Sequence, residues 1–291
     1  MPKVIILEKS ETPPTGVWSF LARGEMIKKT SKVLFFFVCV VFLFGASGCF
    51  GPSQGELRQV EIKKVVDGDT VELSDGQLAR YIGIDCPEIE KKTSTGWVEV
   101  NEPFAQQAKK ANEELVLKGP VFFESDITRK DKYNRLLVYC YVDDNGQRAM
   151  VQSELLRAGL AYLYTFPPNV KYTDVLAESL EDARENKRGV WSLDLDIDSK
   201  DAKQFIGLRR LAVGRVENAF STPKTVCLKL KGLSIVIFNN DMDTFLKKGI
   251  DPVVYYKDKV VRVFGLIKKY KGRPEIIVAH PSQIEIISRM N

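Results

Sequence analysis

The sequence predicts a β-rich α+β protein in two successive parts. Short apolar runs with alternating or β-branched character occur in both halves. The first half adds long stretches with helical spacing, while the second is mostly strand-like. Between them "DLDIDSKDAK" is polar, and residues 194–204 read as a linker. A chain of 291 residues has room for two modest domains.

The N-terminus reads as an address. "MIKKTSKVLFFFVCVVFLFGASGCF" starts at Met26 with lysines, continues with an apolar run and ends in small residues before Cys49. That is the pattern of a secretory signal, and we read Met26 as the initiator. "ASGC" resembles a bacterial lipobox, so Cys49 is the expected lipidation site and the membrane an expected partner. Simple cleavage and an uncleaved anchor are the alternatives, the apolar run being short of the about 20 residues of a membrane span. The leader thus covers residues 1–48, and residues 49–57 form a tether.

In the first part, "RQVEIKKVV" and "TVELS" read as strands flanking "DGD". Asp75-Gly76 is a hairpin signal, and "LARYIGI" (78–84) is the return strand. A turn centred on that pair places Asp85 opposite Val66, which brings "DGD" and "DCPE" to one end of the sheet. Helices are expected at 103–119, 150–160 and 174–191, with Pro103 in the first turn of one and Gly189 ending the last. "PVFFESD" and "NRLLVYCYVDD" add two strands. In the second part, strands fall near 209–219, 225–231, 233–238, 259–269 and 273–279, with a helix at 241–250. Three strands, a helix and two strands is the order of an OB barrel, with a generic small β-barrel as the alternative.

Composition excludes several chemistries. His280 is the one histidine, which argues against a His triad or His/Cys zinc site, and it reads as a turn residue. The five cysteines form no C-x-x-C pair. Net charge is +5, but without the first 48 residues 37 basic residues face 35 acidic ones. A near-neutral body requires any polyanion site to be local.

"VVDGDTVEL" poses the functional question, because Asp67 and Asp69 flank a glycine. A turn alone explains them. The hairpin, however, gathers Asp69, Asp85 and Glu88, and hard oxygen ligands without His or thiolate favour Ca²⁺ or Mg²⁺. Asp69, Asp85 and the Cys86 carbonyl make a metal-ligand set, while Gly68 and Asp67 serve the turn. Arg80 shares the apolar side of its strand with Ile82 and Ile84 and needs an anionic partner; Arg135 alternates with Leu137 and Tyr139. Two arginines, a divalent cation and the free carboxylate of Glu88 form a kit for phosphodiester hydrolysis. A structural salt bridge is the bland alternative for either arginine.

These stretches, with "ARYIGIDCPE", "DKYNRLLVY", "LLRAGLAYLY" and "NKRGVW", resemble the staphylococcal-nuclease-like, or thermonuclease, family over about residues 58–192, within an expected domain of residues 58–193. The resemblance implies a five-stranded OB-like barrel with three helices. It implies Ca²⁺ on Asp69, Asp85 and the Cys86 carbonyl, with Arg80 and Arg135 on the scissile phosphate and Glu88 as, or positioning, the base. Tyr133 and Tyr164 match aromatic positions around the nucleotide, and Lys132 lies near an outer phosphate. The implied reaction cleaves DNA and RNA and leaves 3′-phosphates. Cys86 departs from a threonine common in the family.

Residues 205–291 lie outside the resemblance and are expected to form a smaller OB-like barrel. Arg209, Arg210, Arg215, Lys268, Lys269, Lys271 and Arg273 accompany Tyr270 there, a composition suited to single-stranded nucleic acid. The sequence thus points to a secreted or lipid-anchored, Ca²⁺-dependent nuclease acting on single-stranded DNA and RNA, outside the cytoplasm and with no protein partner. A nucleic-acid capture protein without activity is the alternative.

Overall fold

Strand β1 (Arg58–Val60) runs into β2 (Ile62–Val65), and the hairpin of β3 (Thr70–Leu73) and β4 (Leu78–Tyr81) follows. The computed structural model describes residues 56–93, 95–144 and 147–287; the leader and Cys49 fall outside them. The hairpin forms across Asp75-Gly76, but Thr70 pairs with Arg80, one residue off the expected register. The reason is the loop. Leu73 N–H donates to the Gln77 carbonyl at 2.9 Å, which leaves three residues in the turn with Gly76 at φ +83°.

The return strand also ends early. At Gly83, φ is +86°, and the chain bends out of the hairpin into β5 (Gly83–Asp85). A side chain there would strike Leu176 Cδ1 at 2.3 Å. Asp85 therefore pairs with Tyr162 of β11 (Tyr162–Tyr164) and does not face Val66.

The remaining elements of the first part are β6 (Glu90–Thr93), β7 (Gly96–Glu99), α1 (Ala105–Val116), β8 (Val121–Lys130), β9 (Leu136–Asp144), β10 (Gln147–Met150), α2 (Val151–Arg157) and α3 (Thr173–Glu185). Helix α1 starts past Pro103 because Phe104 takes a left-handed conformation, φ 69°. Helix α3 stops before Gly189, at Glu185, and a separate 3-10 turn follows at Gly189–Ser192.

The main sheet runs β1-β8-β9-β4-β3-β2, with β10 added to β9. Only Glu61 separates β1 from β2, so the two ends of this path meet in one stretch of chain and the sheet curls on itself. Strand β4 lies parallel to β9, whereas its other neighbour is antiparallel. The core contains Val71, Ala79, Ile84, Val138 and Cys140 from strands and Leu155, Leu156, Leu176 and Leu180 from helices.

Residues 194–204 are not a loose linker. Strand β12 (Asp196–Asp198) pairs parallel with β13 (Arg209–Ser221), and the 3-10 segment Ser199–Phe205 buries Ala202 in the second core. Then follow β14 (Thr225–Leu230), β15 (Leu233–Phe238), α4 (Met242–Leu246), α5 (Pro252–Tyr255), β16 (Val260–Tyr270), β17 (Arg273–Ile277) and β18 (Ile284–Ile286). The order is β13-β14-β15-β17-β16, and β16 returns to pair with β13. Val216, Leu228, Ile235, Val261, Ile267 and Ile276 fill this closed sheet, and Phe245 and Tyr256 join the same core.

The two parts share apolar contacts. Leu211 and Phe264 belong to the first part's core. Phe264 stacks on Tyr162 at 5.3 Å and meets Trp191 edge-on at 4.7 Å. Arg184 donates to the Ser282 carbonyl at 3.0 Å, and Lys248 pairs with Asp174 at 3.0 Å. His280 caps the turn at Pro281–Gln283: its ring accepts from Ser282 N–H, and its own N–H donates to Gln283.

His280 is 1% exposed, and burial, aided by Lys248, pushes its pKa down to about 4. The folded protein thus favours the neutral ring. This contribution is intact above the unfolded value of about 6.5 and is lost as pH falls toward 4. Between those limits the wild type is expected to lose roughly 3 kcal/mol more than His280→Gln, measured by urea unfolding across that range.

Candidate active site

The turn between β2 and β3 positions the first acid. Asp67 Oδ1 accepts Asp69 N–H at 3.0 Å, an Asx-type turn. Asn112, fully buried in α1, donates to the Asp67 carbonyl at 3.1 Å and accepts from Tyr81 Oη at 2.9 Å. Gly68 does not adopt a positive φ; it is small because the chain passes against Cys86 and α1. A Cβ there would lie 2.6 Å from Cys86 Cβ and 2.9 Å from Ala108 Cβ. This corrects the reading of Gly68 as a residue needed for turning.

Asp69 is 6% exposed. Its carboxylate accepts from Cys86 N–H at 2.7 Å and Thr70 Oγ1 at 3.1 Å, and it pairs with Arg80. The same guanidinium donates to Asp85 Oδ1 at 2.8 Å. Asp69, Arg80, Asp85 and Cys86 thus meet. The hairpin sets Asp69 beside Arg80, since Thr70 pairs with Arg80 and Tyr81 N–H donates to the Asp69 carbonyl at 2.9 Å. The bend at Gly83 and the closure of Cys86 N–H on Asp69 add Asp85 and Cys86. Arg80 holds two anions, the partners its place on the apolar side requires.

Glu88 is held from behind. Its N–H donates to Glu102 Oε2 at 3.0 Å, and its carbonyl accepts Glu102 N–H at 2.9 Å. Lys91 of β6 pairs with Glu102. Burial, then Asp67 and Asp85, raise the Glu88 pKa, while Arg80 opposes them. The Asp67 pKa is raised by burial against the pull of Arg80 and Arg135. Burial pushes the Cys86 thiol far up, so it is not a reactive thiolate.

Arg135 follows a tight turn in which Asp131 accepts from Tyr133 N–H at 2.9 Å and Arg135 N–H at 3.0 Å. Its Nε pairs with the same carboxylate at 2.8 Å. Arg135 immediately precedes β9, whose Leu137 lies beside Arg80 in the parallel ladder, and its charge is felt at Asp67. Lys132 and Arg135 both approach the exposed ring of Tyr133, at 4.9 and 5.6 Å from its centroid. Tyr164 is exposed at the end of β11.

One residue that the sequence reading assigned elsewhere enters this cluster. Arg209, at the start of β13, pairs with Asp85 Oδ2 and lies over the Tyr162 ring at 4.6 Å. The "RR" pair in the sequence is the only hint of it, and nothing there says which arginine turns toward Asp85.

The donors fit a hard cation. Two carboxylates converge within reach of one guanidinium, and the Cys86 N–H closes on one of them, Asp69. No cluster of three acidic, His or Cys side chains suited to a metal occurs among the described residues, so the remaining ligands there would be carbonyl and water oxygen.

Comparison with known proteins gives this cluster a lineage. Residues 79–193 match the family described as staphylococcal nuclease homologue. A thermonuclease of Staphylococcus intermedius is 30% identical over 175 residues, which cover 57% of this chain and 99% of that protein. The chain belongs to the staphylococcal nuclease homologue family. Two Bacillus subtilis (strain 168) proteins also match: the SPbeta prophage-derived endonuclease YokF is 39% identical over 142 residues, and endonuclease YncB is 36% identical over 145. These regions are 47% and 48% of this chain but 45% and 64% of the relatives, so about half of their length is shared. The fold of this family is an OB barrel, as the resemblance implied.

Two outcomes check the geometry. In the metal-free protein Glu88 titrates above the ordinary 4.5, and Arg80→Gln moves it higher still, read by side-chain carboxyl NMR. Gly68→Ala destabilises by about 1–3 kcal/mol in denaturant unfolding, because the backbone between Asp67 and Asp69 must retreat from Cys86.

Proposed function

We propose that this protein is a Ca²⁺-dependent nuclease that hydrolyses phosphodiester bonds of DNA and RNA and leaves 3′-phosphates. The observation that carries this is the convergence of Asp69, Arg80, Asp85 and Cys86 N–H, with Glu88 beside them and Arg135 at the start of the strand next to Arg80. The printed names of the endonuclease and thermonuclease relatives support the activity class.

In this reading Asp69, Asp85 and the Cys86 carbonyl would hold Ca²⁺, which would polarise the phosphoryl group when bound. Arg80 and Arg135 grip the non-bridging phosphate oxygens through planar forks and offset the charge that develops there. Glu88, or a water it orients, takes the proton of the attacking water. The water oxygen bonds to phosphorus, the bond from phosphorus to the 5′ oxygen breaks, and that oxygen takes a proton from solvent as it leaves, while Glu88 returns its own proton to solvent. The raised pKa of Glu88 suits it to accept a proton nearer neutrality than an ordinary carboxylate would. Tyr133 and Tyr164 offer exposed ring faces to bases, and Lys132 adds charge at the outer edge.

We read the second part as an OB-like barrel, since its order β13-β14-β15-β17-β16 and closure onto β13 repeat that of the first. The hairpin of β16 and β17 exposes Lys268, Lys269, Tyr270, Lys271 and Arg273, which supports a preference for single strands. The leader, with lipidation at Cys49, supports a membrane-anchored or secreted protein outside the cytoplasm.

Hydrolysis of single-stranded DNA by the protein in Ca²⁺ and in EGTA tests this. We expect cutting that needs Ca²⁺ and falls by at least about 10²-fold in Glu88→Gln and Arg135→Ala. Retained DNA binding with no cutting in any divalent cation would replace the nuclease with a capture protein.

A further inference from the structure

Asp85 is neutralised from both sides. Arg80 of β4 holds Oδ1 at 2.8 Å, and Arg209 holds Oδ2. Arg209 comes from the second barrel, outside residues 79–193 that match the family. Its guanidinium has a second anchor, the face of Tyr162, which is itself stacked on Phe264 of the second barrel. Its side chain is 18% exposed, so one edge faces solvent. Arg80, by contrast, is committed to both Asp69 and Asp85.

We propose that Arg209 couples cation binding to nucleic-acid binding at this site. The proposal rests on the nuclease reading, in which Asp85 is a metal ligand. A divalent cation held by Asp69 and Asp85 would compete with Arg209 for the Asp85 carboxylate. The displaced guanidinium stays over Tyr162 and presents its free N–H fork to a backbone phosphate, which it fits as well as it fits a carboxylate. A phosphate that engages Arg209 likewise frees Asp85 for the cation. Each ligand therefore strengthens the other, and the two effects are equal by linkage. Arg209 is thus a substrate-binding residue supplied by the second barrel, and the barrel's docking is what places it.

Calorimetric titration of the full chain with Ca²⁺, without nucleic acid, tests the first half. Arg209→Gln is expected to bind Ca²⁺ at least about fivefold more tightly than wild type. Arg210→Gln, whose guanidinium donates to the Arg209 carbonyl and lies over Phe205, is expected to match wild type and controls for the loss of a nearby charge. Fluorescence anisotropy of labelled oligodeoxythymidylate tests the second half, in a Glu88→Gln background to prevent cutting. Arg209→Gln should weaken binding at least about fivefold with Ca²⁺ and leave it nearly unchanged without. Unchanged or weaker Ca²⁺ binding by Arg209→Gln overturns the proposal, as does an equal loss of oligonucleotide affinity with and without Ca²⁺. If wild type binds no Ca²⁺, or Asp85→Asn binds it as wild type does, the metal reading of Asp85 fails instead.

Discussion

Arg80 bridges two carboxylates that reach it from different pieces of backbone, Asp69 at the start of β3 and Asp85 at the end of β5. The Arg80 and Asp69 side chains are only 14% and 8% exposed, so neither charge can rely on water. Removal of one member of such a pair leaves an uncompensated buried charge and typically costs about 3–5 kcal/mol. The same constraint dictates nearby backbone. Cys86 N–H closes on Asp69, which requires the chain to bend at Gly83 and to pass against a residue without Cβ at Gly68. Chemistry and local fold are one problem here, because the side chains that carry the charge of the cluster also fix the backbone around it.

The second barrel is joined to this arrangement through Tyr162. On one side Tyr162 pairs with Asp85 in the ladder of β5 and β11. On the other its ring takes Phe264 and Arg209 of the second barrel. Trp191, from "NKRGVW", contacts both Tyr162 and Phe264. Phe264 and Leu211 lie within the first core, so the family domain lends part of its apolar surface to its neighbour. Arg184, Asp174, Lys248 and His280 add polar contacts around that contact.

The motifs that mark the family have distinct physical jobs. "DKYNRLLVY" is a turn built on Asp131, whose carboxylate binds two main-chain N–H groups and the Arg135 side chain. "LLRAGL" and "NKRGVW" meet where Val190 N–H donates to the Gly159 carbonyl at 2.9 Å. Neither of the latter two supplies a carboxylate or arginine to the cluster at Asp85; they pack α2 and α3 behind it.

Local signals were legible in the sequence. The Asp-Gly hairpin, most strands of both parts, the Asp67 turn and the residue types of the site follow from short-range pattern, since turn chemistry and alternation act within a few residues. The register was off by one because a three-residue loop with a left-handed glycine competes with the two-residue turn that the same letters suggest. The end of α3, the order of residues 194–204 and the packing role of Gly68 depend on what lies against them, which no local pattern records. Above all, Arg209 meets Asp85 across 124 residues of chain. The sequence alone determined that an arginine-rich strand would follow the nuclease-like part; only the docking of two cores, through Phe264 on Tyr162, decided that one of those arginines would reach a carboxylate in the site.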